Sequence, residues 1–323
     1  MEISTQLIHK LLVALLIILW LLTLISLFGH NFYLELATHF RLQYALAASV
    51  SVVLLIVLQS WKLLPFALCC ALINWAYVLP YYSAPHRLDA KSTSVPLRLM
   101  LINVEWPNKN YAAVTKAIAE AHADVIVMQE FTPAWLNQVE GLCAEYPYHE
   151  PIPRSDGGGM AIFSRYPLKG VEVLTLDTST HLAVFARANV DGTDVSILAL
   201  HPPTPVQSHK FVNRNRQFTE AVLLLRSISG PKVLIGDLNT TMWSPYFKEL
   251  VKDTGLRDAR LGFGLKPSWP MPLPALFQIP IDHCLVSDDI EVGAVRTGGH
   301  VGSDHRPVMF DIRLEESKLE AQR

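Results

Sequence analysis

KVLIGDLN, residues 232–239, runs an apolar segment straight into Gly-Asp-Leu-Asn. An apolar run too short for a helix and bounded by polar residues predicts a buried strand. Such a strand delivers Asp237 and Asn239 to the rim of a sheet. The same pattern recurs outward from it. LRLMLINV (97–104) carries Asn103 near its end, DVIVMQE (124–130) ends on Glu130, and DVSILALH (194–201) ends on His201. IDHCLVS (281–287) instead begins with Asp282 and His283, while Ser303, Asp304 and His305 precede PVMFDIRL (307–314). Further strands are predicted at 160–166, 171–176 and 182–190, with helices near 111–123, 208–228 and 244–254. Short strands interleaved with a few helices predict an α/β domain of sheets covered by helices.

Each rim residue has a bland reading. Asn103 would cap a turn, Glu130 a helix; His201 before Pro-Pro would sit in a surface loop, and Asp282 would be a strand-edge charge. Their conjunction carries more. Asn103, Glu130, Asp237, Asn239 and Asp304 form an oxygen-rich set, which suits Mg²⁺ or Mn²⁺ rather than zinc. His201 and His305 suit phosphate contact or proton transfer. The sequence holds no Gly-x-Ser-x-Gly, His-Glu-x-x-His, phosphate-loop or Cys-x-x-Cys motif, which removes the commonest serine-hydrolase, zinc-protease and nucleotide-kinase readings. Four scattered cysteines make no disulfide framework.

Composition divides the chain in two. Of 323 residues, half are hydrophobic and 17% charged, with a mean hydropathy of +0.26. Residues 1–86 hold only Glu2, Lys10, Glu35, Arg41 and Lys62 among their charged side chains. Uncharged runs at 11–34, 42–61 and 63–86 meet the length of about 20 residues that a helix needs to cross a bilayer. They predict a transmembrane anchor over 1–82, with helices near 11–29, 43–61 and 64–82. Pro65, Asn74 and Pro80 leave open that the third is re-entrant. The positive-inside margin is one residue, so the sequence leaves the side of the membrane open. Residues 83–96 read as a linker giving the domain some freedom, 97–314 as the catalytic domain, and 315–323 as a tail.

Seven pieces, in order, carry a resemblance: LINVEW (101–106), VIVMQE (125–130), GGGMAIFSRYPL (157–168), LALHPP (198–203), LIGDLN (234–239), IPIDHCLV (279–286) and GSDHRPV (302–308). Together they resemble the endonuclease/exonuclease/phosphatase superfamily, over nearly the whole soluble part. The resemblance implies a deoxyribonuclease I-like four-layer αββα sandwich, here preceded by three transmembrane helices. It also implies a Mg²⁺-dependent (alternatively Mn²⁺-dependent) phosphate-ester hydrolase, of the membrane-anchored bacterial type and hence in the bacterial inner membrane. By carry-over, Glu130 is the principal metal ligand and Asn103 helps place metal or phosphate. Asp237 orients or deprotonates the attacking water, and Asn239 binds phosphate. His201 and His305 contact the scissile phosphate or serve the leaving group, and Asp282 pairs with His305. Asp304 is a second metal ligand or a supporting acid. Glu105 reaches a second metal or is a solvated strand-end charge.

The substrate is the least determined part. From Leu97 on, 22 Lys and Arg face 26 Asp and Glu, with no basic run, which weighs against a dedicated nucleic-acid reader. FGLKPSWPMPLPALFQIP (263–280) holds five prolines and one charge; it either packs on the sandwich or forms an apolar rim suited to lipid. The expected partners are a phosphate-ester substrate, lipid or nucleic acid, and the bilayer, with no protein partner indicated. The alternative function is a catalytically silent, membrane-bound binding module on the same fold.

Overall fold

The uncharged runs fold as helices whose ends fall where polar groups gather. The computed structural model describes residues 2–83, 96–176 and 181–314; most of the expected linker and the expected tail 315–323 lie outside the described residues. The first helices are α1 (Glu2–Ile25), α2 (Phe32–Glu35), α3 (Arg41–Val57), α4 (Leu64–Val78) and α5 (Pro80–Ser83), with a 3₁₀ segment over Leu36–Phe40. The expected helices near 11–29 and 43–61 thus both begin and end earlier. Lys10 is exposed on α1 and does not interrupt it. Arg41 opens α3 because its charge has partners: its guanidinium donates to Asn74 Oδ1 at 3.1 Å and Ser26 O at 3.0 Å, and lies over the Tyr77 ring. The third run divides, α4 stopping at Val78 before Pro80. Small residues, Ala45 and Ala48 on α3 with Ala67 and Cys70 on α4, are fully buried and let the helices approach closely.

The remainder alternates strand and helix: β1 (Pro96–Asn103), α6 (Tyr111–Ala121), β2 (Val125–Gln129), α7 (Pro133–Gln138), β3 (Tyr148–Ile152), β4 (Met160–Ser164), β5 (Leu168–Leu174), β6 (Ala183–Val190) and β7 (Thr193–Leu200). Then come α8 (Ser208–Arg226), β8 (Lys232–Asp237), α9 (Pro245–Thr254), β9 (Arg257–Asp258), β10 (Asp282–Val286), β11 (Ile290–Thr297) and β12 (Val308–Leu314). Two mixed sheets result, ordered β11-β12-β1-β2-β4-β3 and β5-β6-β7-β8-β10-β9. Side chains alternate across a strand, and β1 uses both faces. Leu97, Leu99 and Leu101 meet Ile197, Val233 and Cys284 between the sheets. Met100 and Ile102 pack outward with Val114 and Ile118 of α6 and Trp135 of α7. The outer face of the second sheet packs on α8 and α9 through Leu198, Leu234, Phe218 and Phe247. This is the expected four-layer sandwich.

Strands β3 and β11, which no apolar pattern predicts, are the two edges of the first sheet. An edge strand pairs on one side only and carries a weaker apolar pattern; β3 is nowhere fully buried.

The N-terminal helices are docked on the sandwich. Val78 is fully buried in the layer formed by Phe247, Leu265 and Leu285. Trp243 Nε1 donates to Tyr77 O at 3.0 Å, and Gly264 N to Tyr81 O at 2.7 Å. Apolar area and paired backbone groups together make this a buried interface rather than a tethered pair.

Candidate active site

Strand directions bring the rim residues to one end of the sandwich. β1 and β2 are parallel, as are β7 and β8, so Asn103, Glu130, His201 and Asp237 emerge together. β10 runs antiparallel to β8, and its first residue, Asp282, stands directly opposite Asp237. Gln129 locks the two sheets beneath the site: its Nε2 donates to Leu200 O at 3.0 Å, and its Oε1 accepts from Asp237 N at 2.8 Å. Gly236 is required at this seam, because a Cβ there would lie 1.8 Å from Leu200 O.

All nine expected residues join one connected network. Asn103 Nδ2 donates to Glu130 Oε1 at 3.0 Å and Asp237 Oδ2 at 3.3 Å. Glu130 Oε2 accepts from Trp106 N at 2.9 Å. Asp237 Oδ2 lies 3.7 Å from His201 Nε2 and 3.6 Å from His305 Nε2. Asp237 Oδ1 accepts from Asn239 N at 2.9 Å, while Asn239 Nδ2 donates to Pro202 O. Asp282 Oδ2 and His305 Nδ1 are 2.9 Å apart, although 23 positions separate them in sequence. Asp304 Oδ1 is 3.9 Å from His305 Nε2, and Asp304 Oδ2 accepts from Trp269 Nε1 at 2.8 Å. Glu105 is no free strand-end charge: its Oε2 accepts from Asp304 N at 3.0 Å. Glu105, Glu130 and Asn239 all adopt left-handed backbone, with φ of 60°, 57° and 50°. Such strain in non-glycine residues costs about 1–3 kcal/mol each and clusters where surroundings impose it.

Electrostatics divide the titrating groups. Burial raises the Asp237 carboxyl to about 7, with the Asp282 and Glu130 carboxylates adding to it and His305 opposing. Burial acts against the His305 charge, but Asp282 and Asp237 outweigh it and raise the imidazole to about 10. The same ion pair holds Asp282 below its ordinary value in spite of burial. Burial, with His181 and His305 nearby, pushes His201 down to about 3. Glu105 is raised by partial burial and by the Asp304 and Glu130 carboxylates.

A cavity of about 330 Å³ opens on this network. Glu130, Thr204, Asp237, Asn239, Thr240, Asp304 and His305 are its polar lining; Pro205, Val206, Trp269, Ile279 and Ile281 supply apolar lining. Leu36 and His39 complete the lining from the N-terminal segment, which no strand-end pattern reveals. Sequence reading also misses Gln129 as part of the site. Ser303 Oγ donates to Asn103 O and accepts from His305 N, fixing the loop against β1. A glutamine inside the apolar run VIVMQ was the available signal for Gln129, because a buried amide must find partners. The segment 263–280 packs in part: Leu265, Ser268 and Gln278 are buried, while Leu273, Leu276 and Phe277 are about half exposed.

The oxygen donors fit a divalent cation. The Glu130 and Asp237 carboxylates converge on Asn103 Nδ2, while Asn103 Oδ1 accepts from Glu105 N, and the Glu105–Asp304–Glu130 crowding that raises Glu105 is what a cation would offset. Ligand atoms of Asp237, Asp282 and His305 also lie within 4.8 Å of one another. There, however, Asp282 and His305 already bond each other, so this trio reads as a proton relay.

The pattern of one family, described as Endonuclease/Exonuclease/phosphatase family, matches residues 100–305. No curated protein matches the sequence. The fold is similar to a family protein from Bacteroides thetaiotaomicron (16% identity, TM-score 0.58, covering 69% of this chain and 99% of that one). It is similar to one from Beutenbergia cavernae (20%, 0.55, 68% and 72%). It is also similar to TDP2 from C. elegans (17%, 0.58, 70% and 78%). Residues 2–83 lie outside the family match. With the two-sheet sandwich and the rim network in place, the chain belongs to the Endonuclease/Exonuclease/phosphatase family, whose members are phosphodiesterases, nucleases and phosphatases.

Proposed function

We propose that this chain is a membrane-anchored, divalent-metal-dependent hydrolase of a phosphate ester, with Mg²⁺ as the metal and Mn²⁺ as its alternative. The observation that carries this reading is the unbroken network Glu130–Asn103–Asp237–His305–Asp282 on the wall of one cavity. Glu130 would be the principal holder of the cation, with Asn103 helping to place it and Asp304 and Glu105 standing beside it. When bound, the cation supplies positive charge against the phosphate oxygens and lowers the pKa of bound water. Asp237, raised to about 7, is suited to orient water and take its proton near neutral pH. His305, held protonated and oriented by Asp282, is suited to hydrogen-bond a phosphate oxygen or serve the leaving group. His201, held neutral, supports Asp237, and Asn239 lines the cavity beside them. A silent binding module would have no need to keep all these groups in one network.

The anchor reading rests on exposure as well as length. Two spans, Gln6–Ile25 and Phe32–Val57, are long and apolar enough to cross a membrane, yet only 22% and 33% of their apolar windows are buried. A soluble core helix would be mostly buried. The exposed side chains of α1 and α3, such as Leu11, Ile17, Val53 and Val57, suit lipid. Among substrates the reading favours a lipid phosphate ester. No Lys or Arg lines the cavity. The exposed loop bearing Leu273, Leu276 and Phe277 is tied to the start of α3, Gln43 Nε2 donating to Leu276 O at 2.8 Å. Nucleic acid is the second reading, since D. rerio TDP2, a relative in fold at 15% identity and TM-score 0.56, was solved with a single strand DNA product.

The test is the full chain in lipid nanodiscs, assayed with Mg²⁺ against phospholipid, oligonucleotide and bis-p-nitrophenyl phosphate. Lipid should be turned over fastest. Glu130→Gln or excess EDTA should lower turnover by about 10³-fold or more. Activity that survives both would sink the metal reading, and faster cleavage of the oligonucleotide would reverse the substrate order.

A further inference from the structure

The N-terminal segment reaches the catalytic loop as well as the cavity wall. Glu35, at the end of α2, is almost fully buried. Its Oε2 accepts from Arg214 Nη2 at 2.6 Å; its Oε1 accepts from Thr240 Oγ1 at 3.2 Å and from Ser244 Oγ. Arg214, on α8 and fully buried, also donates from Nη1 to Asn239 O at 3.3 Å. One turn after Glu35, His39 Nδ1 meets Thr241 Oγ1 at 3.1 Å. The stretch 239–244, between β8 and α9, is thus held at four residues by the membrane segment and the arginine it pairs with.

A second arm arrives from the opposite side. Tyr81, in α5, accepts from Gly264 N at 2.7 Å through its carbonyl and lies near Asp258, whose Oδ1 accepts from Arg260 N. Arg260 Nη1 donates to His283 Nδ1 at 3.0 Å, so the His283 proton sits on Nε2 and is donated to Thr240 O at 2.9 Å. Arg260 Nη2 donates to Asp282 O at 2.6 Å. Both arms end on residues 239–240, and Asn239 N in turn fixes the Asp237 carboxylate.

We infer that Glu35 is a positioning residue for phosphate-ester hydrolysis: through Arg214, Thr240 and Ser244 the membrane segment sets the Asn239–Thr240 backbone and with it Asp237. Turnover then depends on the segment being docked, and the anchor is a working part of the active site. This rests on the proposed hydrolase reading. The geometry separates positioning from plain stability, because Glu35 bonds the loop by two hydroxyls that its ion pair with Arg214 does not require.

The experiment uses the full chain in nanodiscs with Mg²⁺ and bis-p-nitrophenyl phosphate. Glu35→Gln should lower kcat by about 10- to 100-fold, with KM changed less than about threefold. Removing one charge strands Arg214, so Glu35→Met with Arg214→Met is made alongside; replacing both partners of a buried pair by apolar residues keeps such proteins folded. The double variant should melt within a few degrees of wild type and keep the kcat loss. A folded double variant with wild-type kcat overturns the inference. If it does not fold, Thr240→Val against Thr240→Ser decides: a kcat loss restored by the hydroxyl of serine supports the role, and equal kcat in both overturns it. Should wild type hydrolyse no phosphate ester, the reading beneath the inference fails too. If Glu130→Gln is inactive while the Glu35 variants keep wild-type kcat, the inference fails alone.

Discussion

Two buried ion pairs lie on either side of the loop after β8, and their chemistry differs. Asp282–His305 sits between the sheets and lines the cavity through His305. Glu35–Arg214 lies on the outer side, sealed from solvent. An imidazole can give up its proton, and His305 has Asp237 and Asp304 within 4 Å to exchange with. A guanidinium stays charged at any working pH, so Arg214 can hold but not transfer. Equal burial thus serves proton chemistry in one pair and fixed geometry in the other. The N-terminal segment supplies the acid of the static pair and no atom of the reactive one.

The strongest way to break this contrast is Asp282→Asn. An amide loses the charge that holds His305 protonated and offers no fixed tautomer, so kcat should fall by about 10²- to 10⁴-fold with the fold retained. Without Asp282 the His305 pKa drops from its raised value, so any alkaline limb of the rate profile that reports it should move to lower pH. An unmoved limb would take the proton-carrying role away from the pair.

On the static side the expected effect is on stability. Glu35→Ala leaves Arg214 buried without its carboxylate and should cost about 3–5 kcal/mol, read as a lowered melting temperature in detergent. A loss below about 1 kcal/mol would mean that Arg214 has other adequate partners and that the two pairs are less alike than their burial suggests.

A smaller effect follows from His283, the histidine that links the two regions. Burial, then the nearby Arg260, pushes it down to about 3, against about 6.5 in an unfolded chain. The folded state keeps it neutral while the unfolded state takes up a proton. Its stabilising contribution is therefore present above about pH 6.5 and lost as pH falls toward 3. Melting temperatures between pH 7 and 5 should decline less steeply in His283→Gln than in wild type. Parallel declines would show that His283 does not carry the acid sensitivity.

The arithmetic of strand-end residues was legible in the sequence because each sits one or two positions past an apolar run, and strand direction alone sends such residues to a common rim. Asn103, Glu130, His201, Asp237 and Asn239 are of this kind. Asp282 opens its strand and Ser303, Asp304 and His305 precede theirs; these strands run the opposite way, so the residues reach the same end. The apolar spans and the sandwich were readable for the same reason, since burial leaves a period in composition. Edge strands β3 and β11 left almost none. Contacts between segments distant in the chain were beyond any local pattern: Gln129 bridging two sheets, Glu35 meeting Arg214 across 179 positions, and Leu36 with His39 closing the cavity. Sequence marked Glu35 only as a charge stranded in an apolar region, where desolvation demands a partner. Which partner it took, and that the N-terminal segment packs against the sandwich beside the cavity, was decided by the packing of α2 and α4 against α8 and α9.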